Sequence, residues 1–226
     1  NKVKILTSAY EEMGKIGINF NFAPVIDVNY NAENPNIGKI ARAYSDDIKE
    51  VEENALLLNQ VATKHNVGLC LKHYPGIGGA NVDSHEELMN LSDAINEDQQ
   101  ALFYELAPKM VVNAVLLSHA IVDQWDSENP ITVSAPTIKK IREKLADSLL
   151  ISDDVQMQGM QKIYGTKKAS YLCLKNGLDM VCIGNNLIND ENAMIEIADY
   201  CARELASDLN IEESINRVLM RKRNMC

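Results

Sequence analysis

The segment 72–88, KHYPGIGGANVDSHEEL, concentrates the side chains of this sequence that could do chemistry. It combines the pair Lys72-His73 with three glycines, one proline and the polar cluster Asp83-Ser84-His85. A loop of this length inside a compact domain is usually either functional or disordered. Because a strand-like apolar run directly precedes it, we interpret the segment as an active-site loop.

A histidine beside an aspartate suits general acid/base catalysis, because imidazole titrates near neutral pH and a bonded carboxylate fixes its tautomer. The residues alone leave other interpretations open. His85 could be an exposed loop histidine that is bonded to its neighbour Asp83, and Lys72 could form a buried ion pair with Asp27. Two histidines and an aspartate in one loop could also bind Zn²⁺ or another metal ion.

A second acidic position follows another apolar run, since Asp153 and Asp154 come directly after the segment 148–152. A carboxylate just past a strand is often the N-cap of the next helix. It can equally be a catalytic carboxylate at a strand end. The spacing alone does not decide between these two roles.

Five apolar runs rich in β-branched residues alternate with helical patterns along the chain. The predicted strands are 18–28, 67–71, 114–118, 148–152 and 178–183. The predicted helices are 47–64, 97–111, 134–145 with Ser134 as N-cap, 159–176 before Gly177, 191–205 and 212–223. This alternation is typical of parallel βα units.

Polar residues stand at the C-terminal end of every predicted strand, and they are Asp27, Lys72-His73, Ser118-His119, Asp153-Asp154 and Asn185-Asn186. In a TIM (β/α)8 barrel such residues meet at the C-terminal rim, where active sites lie. An open doubly wound sheet would instead carry a glycine-rich phosphate loop after its first strand, and none follows 18–28. We therefore predict an α/β fold of the TIM-barrel type, with residues 1–226 as one domain.

The composition narrows the class of function. The net charge is −10 and basic residues occur only in short clusters, so we expect no nucleic-acid partner. No apolar run approaches the roughly 18 residues of a membrane span, and the five cysteines lack metal-binding spacing. We expect a cytoplasmic protein without a membrane partner, and a periplasmic or secreted location stays open if a leader was removed.

Four ordered blocks resemble glycoside hydrolase family 3, and more narrowly its β-N-acetylglucosaminidase branch. The blocks are GINFNFAPVIDVN (17–29), NIGKIARAYSDD (36–47), KHYPGIGGANVDSH (72–85) and LLISDDVQMQGM (149–160). The segments LLSHAIVDQWD and NGLDMVCIGN are also similar to that family. The match covers nearly the whole chain, and it implies a barrel with the sugar site at its rim.

The resemblance also implies a role for each candidate residue. Asp153 matches the nucleophile, His85 the general acid/base, and Asp83 the aspartate that orients this histidine. The implied substrate-binding residues are Asp27, Arg42, Lys72, His73 and His119, of which the last has a satisfied rim histidine as its alternative. The implied chemistry needs no metal and no cofactor.

Two departures from the family pattern matter. Ile77 stands where many relatives have a second histidine between the glycines. The acidic D-x-E-G-G segment and about three earlier strands of the family have no match here, and five strands cannot close an eight-stranded barrel. We therefore expect an incomplete barrel of about five βα units, whose missing N-terminal segment belongs to the same polypeptide.

From the resemblance we expect a retaining glycosidase that removes terminal β-linked N-acetylglucosamine from oligosaccharides or peptidoglycan fragments, for example in peptidoglycan recycling. The alternatives are a β-glycoside phosphorylase or β-glucosidase of the same family, and a non-catalytic sugar-binding remnant. A metal-dependent hydrolase ranks last, because the sequence offers no full set of metal ligands.

Overall fold

The computed structural model describes residues 2–81, 88–186, 189, 191–206 and 208–223. Its helices are α1 (Lys2–Lys15), α2 (Ile48–Lys64), α3 (Glu97–Leu106), α4 (Ala135–Lys144), α5 (Gln158–Ile163), α6 (Gly165–Lys175), α7 (Ala193–Glu204) and α8 (Leu209–Arg223). Its strands are β1 (Phe20–Asn21), β2 (Gly68–Leu69), β3 (Leu71–Tyr74), β4 (Met89–Asn90), β5 (Ala114–Leu117), β6 (Ala120–Ile121), β7 (Leu149–Asp154) and β8 (Met180–Cys182). No helix in these ranges is both long and apolar enough to cross a membrane.

The central sheet is parallel and has the strand order β3-β5-β7-β8. β1 pairs in parallel with β2, and an isolated parallel bridge joins Val25 to Lys72 at the start of β3. The N–H of Ile26 donates to the carbonyl of Lys72 at 2.8 Å, which continues this pairing. Extended segments therefore lie side by side in chain order, as in a βα barrel, and the described strands do not close into a ring. The predicted α/β fold with an incomplete barrel is confirmed.

The helices cover the sheet with the faces that their apolar spacing predicts. In α2 the buried residues Val51, Ala55, Leu58 and Val61 recur at helical spacing, and the Asp47 side chain caps the helix by accepting from the N–H of Lys49 at 2.8 Å. Ser134 caps α4 as predicted, since its Oγ accepts from the N–H of Thr137 at 3.4 Å. These caps fix where each helix begins relative to the strand before it.

Two predicted helices end earlier than the sequence pattern suggested. The segment 159–176 is two helices, because Gly165 has a φ of +67°, which interrupts the right-handed path between α5 and α6. The segment 97–111 leaves the α-helix after Leu106 and continues as a 3-10 turn that contains Pro108. Proline lacks the N–H that an α-helix would need there. Neither change moves a strand end.

Candidate active site

Asp27 and His73 form a buried polar pair at the strand ends. Asp27 is 0% exposed, and its Oδ2 lies 2.7 Å from Nδ1 of His73 and accepts from the His73 backbone N–H at 3.1 Å. Its Oδ1 accepts from the N–H of Ile77 at 2.8 Å. One carboxylate therefore orients the imidazole and also fixes the start of the glycine-rich loop.

Arg42 completes this pair from the other side of the ring. Its Nη2 lies 3.3 Å from Nε2 of His73, and its Nη1 donates to the carbonyl of Asn36 at 3.1 Å. A guanidinium can only donate, so Nε2 must accept and the proton of a neutral ring must lie on Nδ1, facing Asp27. The sequence prediction that Asp27, Arg42 and His73 share one site agrees with these contacts, and their contact with a sugar stays a prediction.

Asp153 lies at the end of β7, and its Oδ1 accepts from the N–H of Asp154 at 2.9 Å. Burial pushes the pKa of Asp153 up, but the electrostatic effects of the nearby His73, His119 and Lys72 side chains and the hydrogen bond from Asp154 outweigh it, and the pKa lies below its ordinary value. The carboxylate is therefore held ionised, which is the state that a nucleophile needs.

Lys72 is half-buried beside this carboxylate. Burial lowers its pKa and the charge of Arg42 lowers it further, while Asp153 acts in the opposite direction. The alternative of a simple Lys-Asp ion pair is absent among the described residues, because no salt bridge joins Lys72 to Asp27. The ammonium group therefore keeps donors available at the strand ends.

His119 is 4% exposed and follows β5. Its Nδ1 lies 2.7 Å from Oγ1 of Thr132, and no described residue bonds to its Nε2. Burial lowers the pKa of His119, although the charge of Asp153 opposes this effect. The ring is therefore neutral near pH 7.

The carboxylate of Asp154 has a structural role that differs from the role predicted for Asp153. Its Oδ1 accepts from the N–H of Gln156 at 2.9 Å and from the N–H of Gly184 at 3.1 Å, so it ties the end of β7 to the end of β8. A Cβ on Gly184 would come within 2.4 Å of Oδ2 of Asp154, which explains the glycine. The N-cap of α5 is Met157, so neither aspartate caps this helix.

Gln99 is a supporting residue that the sequence analysis missed. It is 1% exposed, its Oε1 accepts from the N–H of Val28 at 2.7 Å, and its Nε2 donates to the carbonyl of Ile26 at 3.0 Å. The helix side chain thus holds the backbone on both sides of Asp27. A signal was available, because position 99 shares the helix face of the buried Leu102, Phe103 and Leu106.

Three further residues are His65, which the structure describes, and Asp83 and His85, which it does not. His65 is the C-cap of α2, and its N–H donates to the carbonyl of Ala62. Asp83 and His85, the predicted acid/base pair, lie outside the described residues. Within the described ranges, no group of three or more His, Cys, Asp or Glu side chains is arranged to hold a metal ion.

The sequence is similar to those of bacterial proteins named beta-hexosaminidase. It is 29% identical to a beta-hexosaminidase of Neisseria meningitidis over 214 residues, which are 87% of this chain and 57% of that protein. It is 24% identical to beta-hexosaminidase A of Pseudoalteromonas piscicida over 237 residues, covering 95% of this chain and 39% of that one. The chain therefore spans about half the length of these relatives.

A solved structure of another protein is similar to this chain in its fold. A glycoside hydrolase family 3 beta-N-acetylglucosaminidase from a Paenibacillus species matches with a TM-score of 0.84 and 25% identity, over 99% of this chain and 44% of that one. The family model described as "Glycosyl hydrolase family 3 N terminal domain" matches residues 3–220. The chain belongs to glycosyl hydrolase family 3.

Proposed function

We propose that this chain carries the nucleophile and the sugar-binding strand ends of a retaining β-N-acetylhexosaminidase. Its substrates are terminal β-linked N-acetylglucosamine residues of oligosaccharides or peptidoglycan fragments. The observation that carries the proposal is the environment of Asp153, a buried carboxylate whose pKa is lowered by His73, His119 and Lys72 against the effect of burial. The beta-hexosaminidase relatives support the choice of an acetamido sugar.

The proposed reaction has two steps. In the first step Asp153 attacks the anomeric carbon while His85 donates a proton to the glycosidic oxygen, so that the C–O bond breaks and a glycosyl-aspartate forms. In the second step the now neutral His85 takes a proton from water, the oxygen of water attacks the same carbon, and Asp153 leaves. Two inversions give net retention of the β configuration. Asp83 holds the imidazole of His85 in both steps.

The sugar-binding residues have complementary roles in this proposal. Lys72 and Arg42 donate to sugar hydroxyls, and the Asp27 carboxylate holds His73 in place for the same purpose. His119 lies close enough to Asp153 for the charge of that carboxylate to act on its pKa, and in this proposal its ring bonds to the sugar. No step of the reaction needs a metal ion.

The test uses the complete polypeptide that the gene encodes, with an aryl N-acetyl-β-glucosaminide and the matching β-glucoside as substrates. We expect hydrolysis of the acetamido substrate, a loss of at least about a thousandfold in Asp153→Gly, and formation of the α-configured glycosyl azide when azide is added to that variant. Azide can fill the space of the missing carboxylate, and its attack inverts the anomeric centre only once.

The matched control is Asp199→Gly, which changes an exposed aspartate of α7 and should retain wild-type turnover after correction for the folded fraction. A β-configured azide product, or full activity of Asp153→Gly, would refute the nucleophile. Release of a sugar 1-phosphate in preference to free sugar in phosphate buffer would instead identify a phosphorylase. Binding of N-acetylglucosamine without any turnover would identify a sugar-binding protein.

A further inference from the structure

Thr132 is a buried residue whose hydroxyl contacts the ring of His119. It lies in the 3-10 turn Ile131–Val133 and is 0% exposed. Its Oγ1 lies 2.7 Å from Nδ1 of His119, and its hydroxyl also forms a hydrogen bond with the thiol of Cys173 on α6. None of the roles proposed above uses this hydroxyl, yet the direction of its hydrogen bonds decides whether His119 can donate or accept.

The turn that carries Thr132 is anchored to the two helices beside it. Ser134, which follows the turn, is the N-cap of α4. Asn176, the C-cap of α6, donates from its Nδ2 to the carbonyl of Val133 at 2.6 Å. The end of one helix and the start of another therefore hold the hydroxyl of Thr132 in place against the imidazole of His119.

The proton of the Thr132 hydroxyl needs an acceptor, because a buried O–H without one is costly. Among the described residues two groups can accept it, Nδ1 of His119 and Sγ of Cys173. A neutral imidazole nitrogen is a good acceptor and a thiol sulfur is a weak one. Burial raises the pKa of Cys173, so its sulfur stays protonated and carries no charge that would reverse this order. The hydroxyl therefore donates to Nδ1, and the proton of the neutral ring lies on Nε2.

The sheet brings this ring next to the proposed nucleophile. Leu117 at the end of β5 pairs with Ser152 of β7, and Asp153 is the next residue of β7, while His119 follows two residues after Leu117. Burial lowers the pKa of His119, whereas the charge of Asp153 and the backbone of Asp153 and Asp154 raise it. Groups that raise the pKa of a histidine favour a ring that donates hydrogen bonds. They act in the same sense as a proton on Nε2.

The two buried histidines at the strand ends then have opposite tautomers. The neutral ring of His73 carries its proton on Nδ1, because the guanidinium of Arg42 can only donate to Nε2. The neutral ring of His119 carries its proton on Nε2, because Thr132 donates to Nδ1. His73 is thus an acceptor at Nε2, and His119 is a donor there. A donor suits a position beside an ionised carboxylate and a hydroxyl-rich substrate.

We propose that Thr132 is the positioning residue of His119: its hydroxyl donates to Nδ1, fixes the proton on Nε2 and so keeps His119 as a hydrogen-bond donor beside Asp153. The inference deepens the proposed function, and its catalytic part rests on that function. The assignment of the tautomer does not depend on it. Thr132 acts only through His119, so its replacement should lower turnover although no group that contacts the sugar is removed.

The first experiment measures the tautomer in the complete polypeptide. In protein with nitrogen-15-labelled histidine, NMR near neutral pH distinguishes a protonated from an unprotonated ring nitrogen, and the signals of His119 are those that disappear in His119→Asn. We expect a protonated Nε2 and an unprotonated Nδ1 in the wild type and in Thr132→Ser. Thr132→Val keeps the shape but lacks the donor, so Nδ1 should carry the proton in part of the molecules. A proton on Nδ1 in the wild type, or an unchanged pattern in Thr132→Val, would overturn the assignment.

The second experiment measures hydrolysis of the aryl N-acetyl-β-glucosaminide. Thr132→Val should lower kcat/KM by about tenfold after correction for the folded fraction, and Thr132→Ser should recover it to within about twofold. The matched control is Thr137→Val in α4. Thr137 is 2% exposed, and its Oγ1 accepts from Oγ of Ser134 at 2.8 Å, so this variant also loses a buried hydroxyl. It should keep the kcat/KM of the wild type.

The outcomes separate this inference from the function on which it rests. Equal losses of kcat/KM in Thr132→Val and Thr137→Val, or no recovery in Thr132→Ser, would overturn the positioning role and leave the glycosidase intact. Absence of turnover in the wild type would overturn the proposed function together with the catalytic part of the inference. The NMR experiment would in that case still support or overturn the tautomer that Thr132 imposes.

Discussion

Nδ1 of His73 lies 2.7 Å from Oδ2 of Asp27, and the same carboxylate accepts the backbone N–H groups of His73 and Ile77. A single buried side chain thus sets the orientation of an imidazole and the path of the loop that follows it. The geometry of the strand ends therefore depends on how firmly the backbone around Asp27 is held. Gln99 bonds to this backbone on both sides of Asp27, and Gly78 lets the following loop pass close to it.

Gln99 can be tested with a variant of nearly the same shape. Gln99→Met should lower the free energy of unfolding by about 2–4 kcal/mol, because the N–H of Val28 and the carbonyl of Ile26 lose their partners in a buried position. It should also lower kcat/KM more than folding loss explains, since Asp27 lies between these two groups. Urea unfolding and steady-state kinetics on the same samples measure both effects.

The control for this variant is its neighbour in the sequence. Gln100 is half-buried, and among the described residues its side chain bonds only to the carbonyl of Asn96 at 3.3 Å. Gln100→Met should change the free energy of unfolding by less than about 1 kcal/mol. Equal effects of the two substitutions would show that the contacts of Gln99 with the Asp27 segment stabilise the fold no more than the single bond of Gln100 does.

The sequence predicted those parts of the fold that depend on periodicity and capping. The α/β order, the buried face of α2 and the cap at Ser134 follow from spacing and from short-range hydrogen bonds. The break at Gly165 was not predicted, because a single glycine inside a helical pattern is compatible with either a continuous or an interrupted helix.

The sequence predicted that polar strand ends meet, but it did not predict the residue that supports them. Polar residues after strands converge because parallel strands share an edge, and this rule brought Asp27, His73 and Asp153 together. The contact between Gln99 and the Asp27 segment joins positions more than seventy residues apart. Local spacing carries no information about such a partner, and only the three-dimensional arrangement identifies it.

Gly78 allows the loop to pass close to the strand that carries Asp27. A Cβ at this position would lie 1.7 Å from the carbonyl oxygen of Val28, so the backbone would have to move. Gly78→Ala should therefore lower the free energy of unfolding by about 3 kcal/mol and reduce turnover. Thermal unfolding and kinetics measure these effects.

The adjacent glycine is the natural comparison. In Gly79→Ala the new Cβ would meet the Cβ of Ala94 at 3.3 Å, which a small shift can relieve. We expect a loss of about 1 kcal/mol or less. If the two substitutions were equally harmful, the close approach at Val28 would not be the reason for glycine at position 78.

His119 should make stability depend on pH. Its folded-state pKa lies below the ordinary value of histidine because the ring is buried, so the unfolded state binds a proton first as the pH falls. The free energy of unfolding should therefore decrease from about pH 7 downward, until the pH reaches the folded-state pKa. Since asparagine can still bond to Thr132 without titrating, His119→Asn should show a shallower decrease between pH 7 and 5. An unchanged slope would mean that His119 is not the titrating group.

Lys72 should control the acidic limit of activity through Asp153. The pKa of Asp153 lies below its ordinary value, since the effect of burial is outweighed by nearby groups that include Lys72, so the carboxylate stays ionised to a lower pH than an ordinary aspartate does. In Lys72→Met this stabilisation of the charged form is lost, and the acidic limb of kcat/KM should move to higher pH by about one unit. The exposed Lys39, which pairs with Glu33, gives the control Lys39→Met with an unmoved limb. The acidic limb is measured between pH 3 and 7 with the aryl N-acetyl-β-glucosaminide as substrate. A limb that does not move in Lys72→Met would mean that Lys72 contributes to sugar binding and not to the pKa of Asp153.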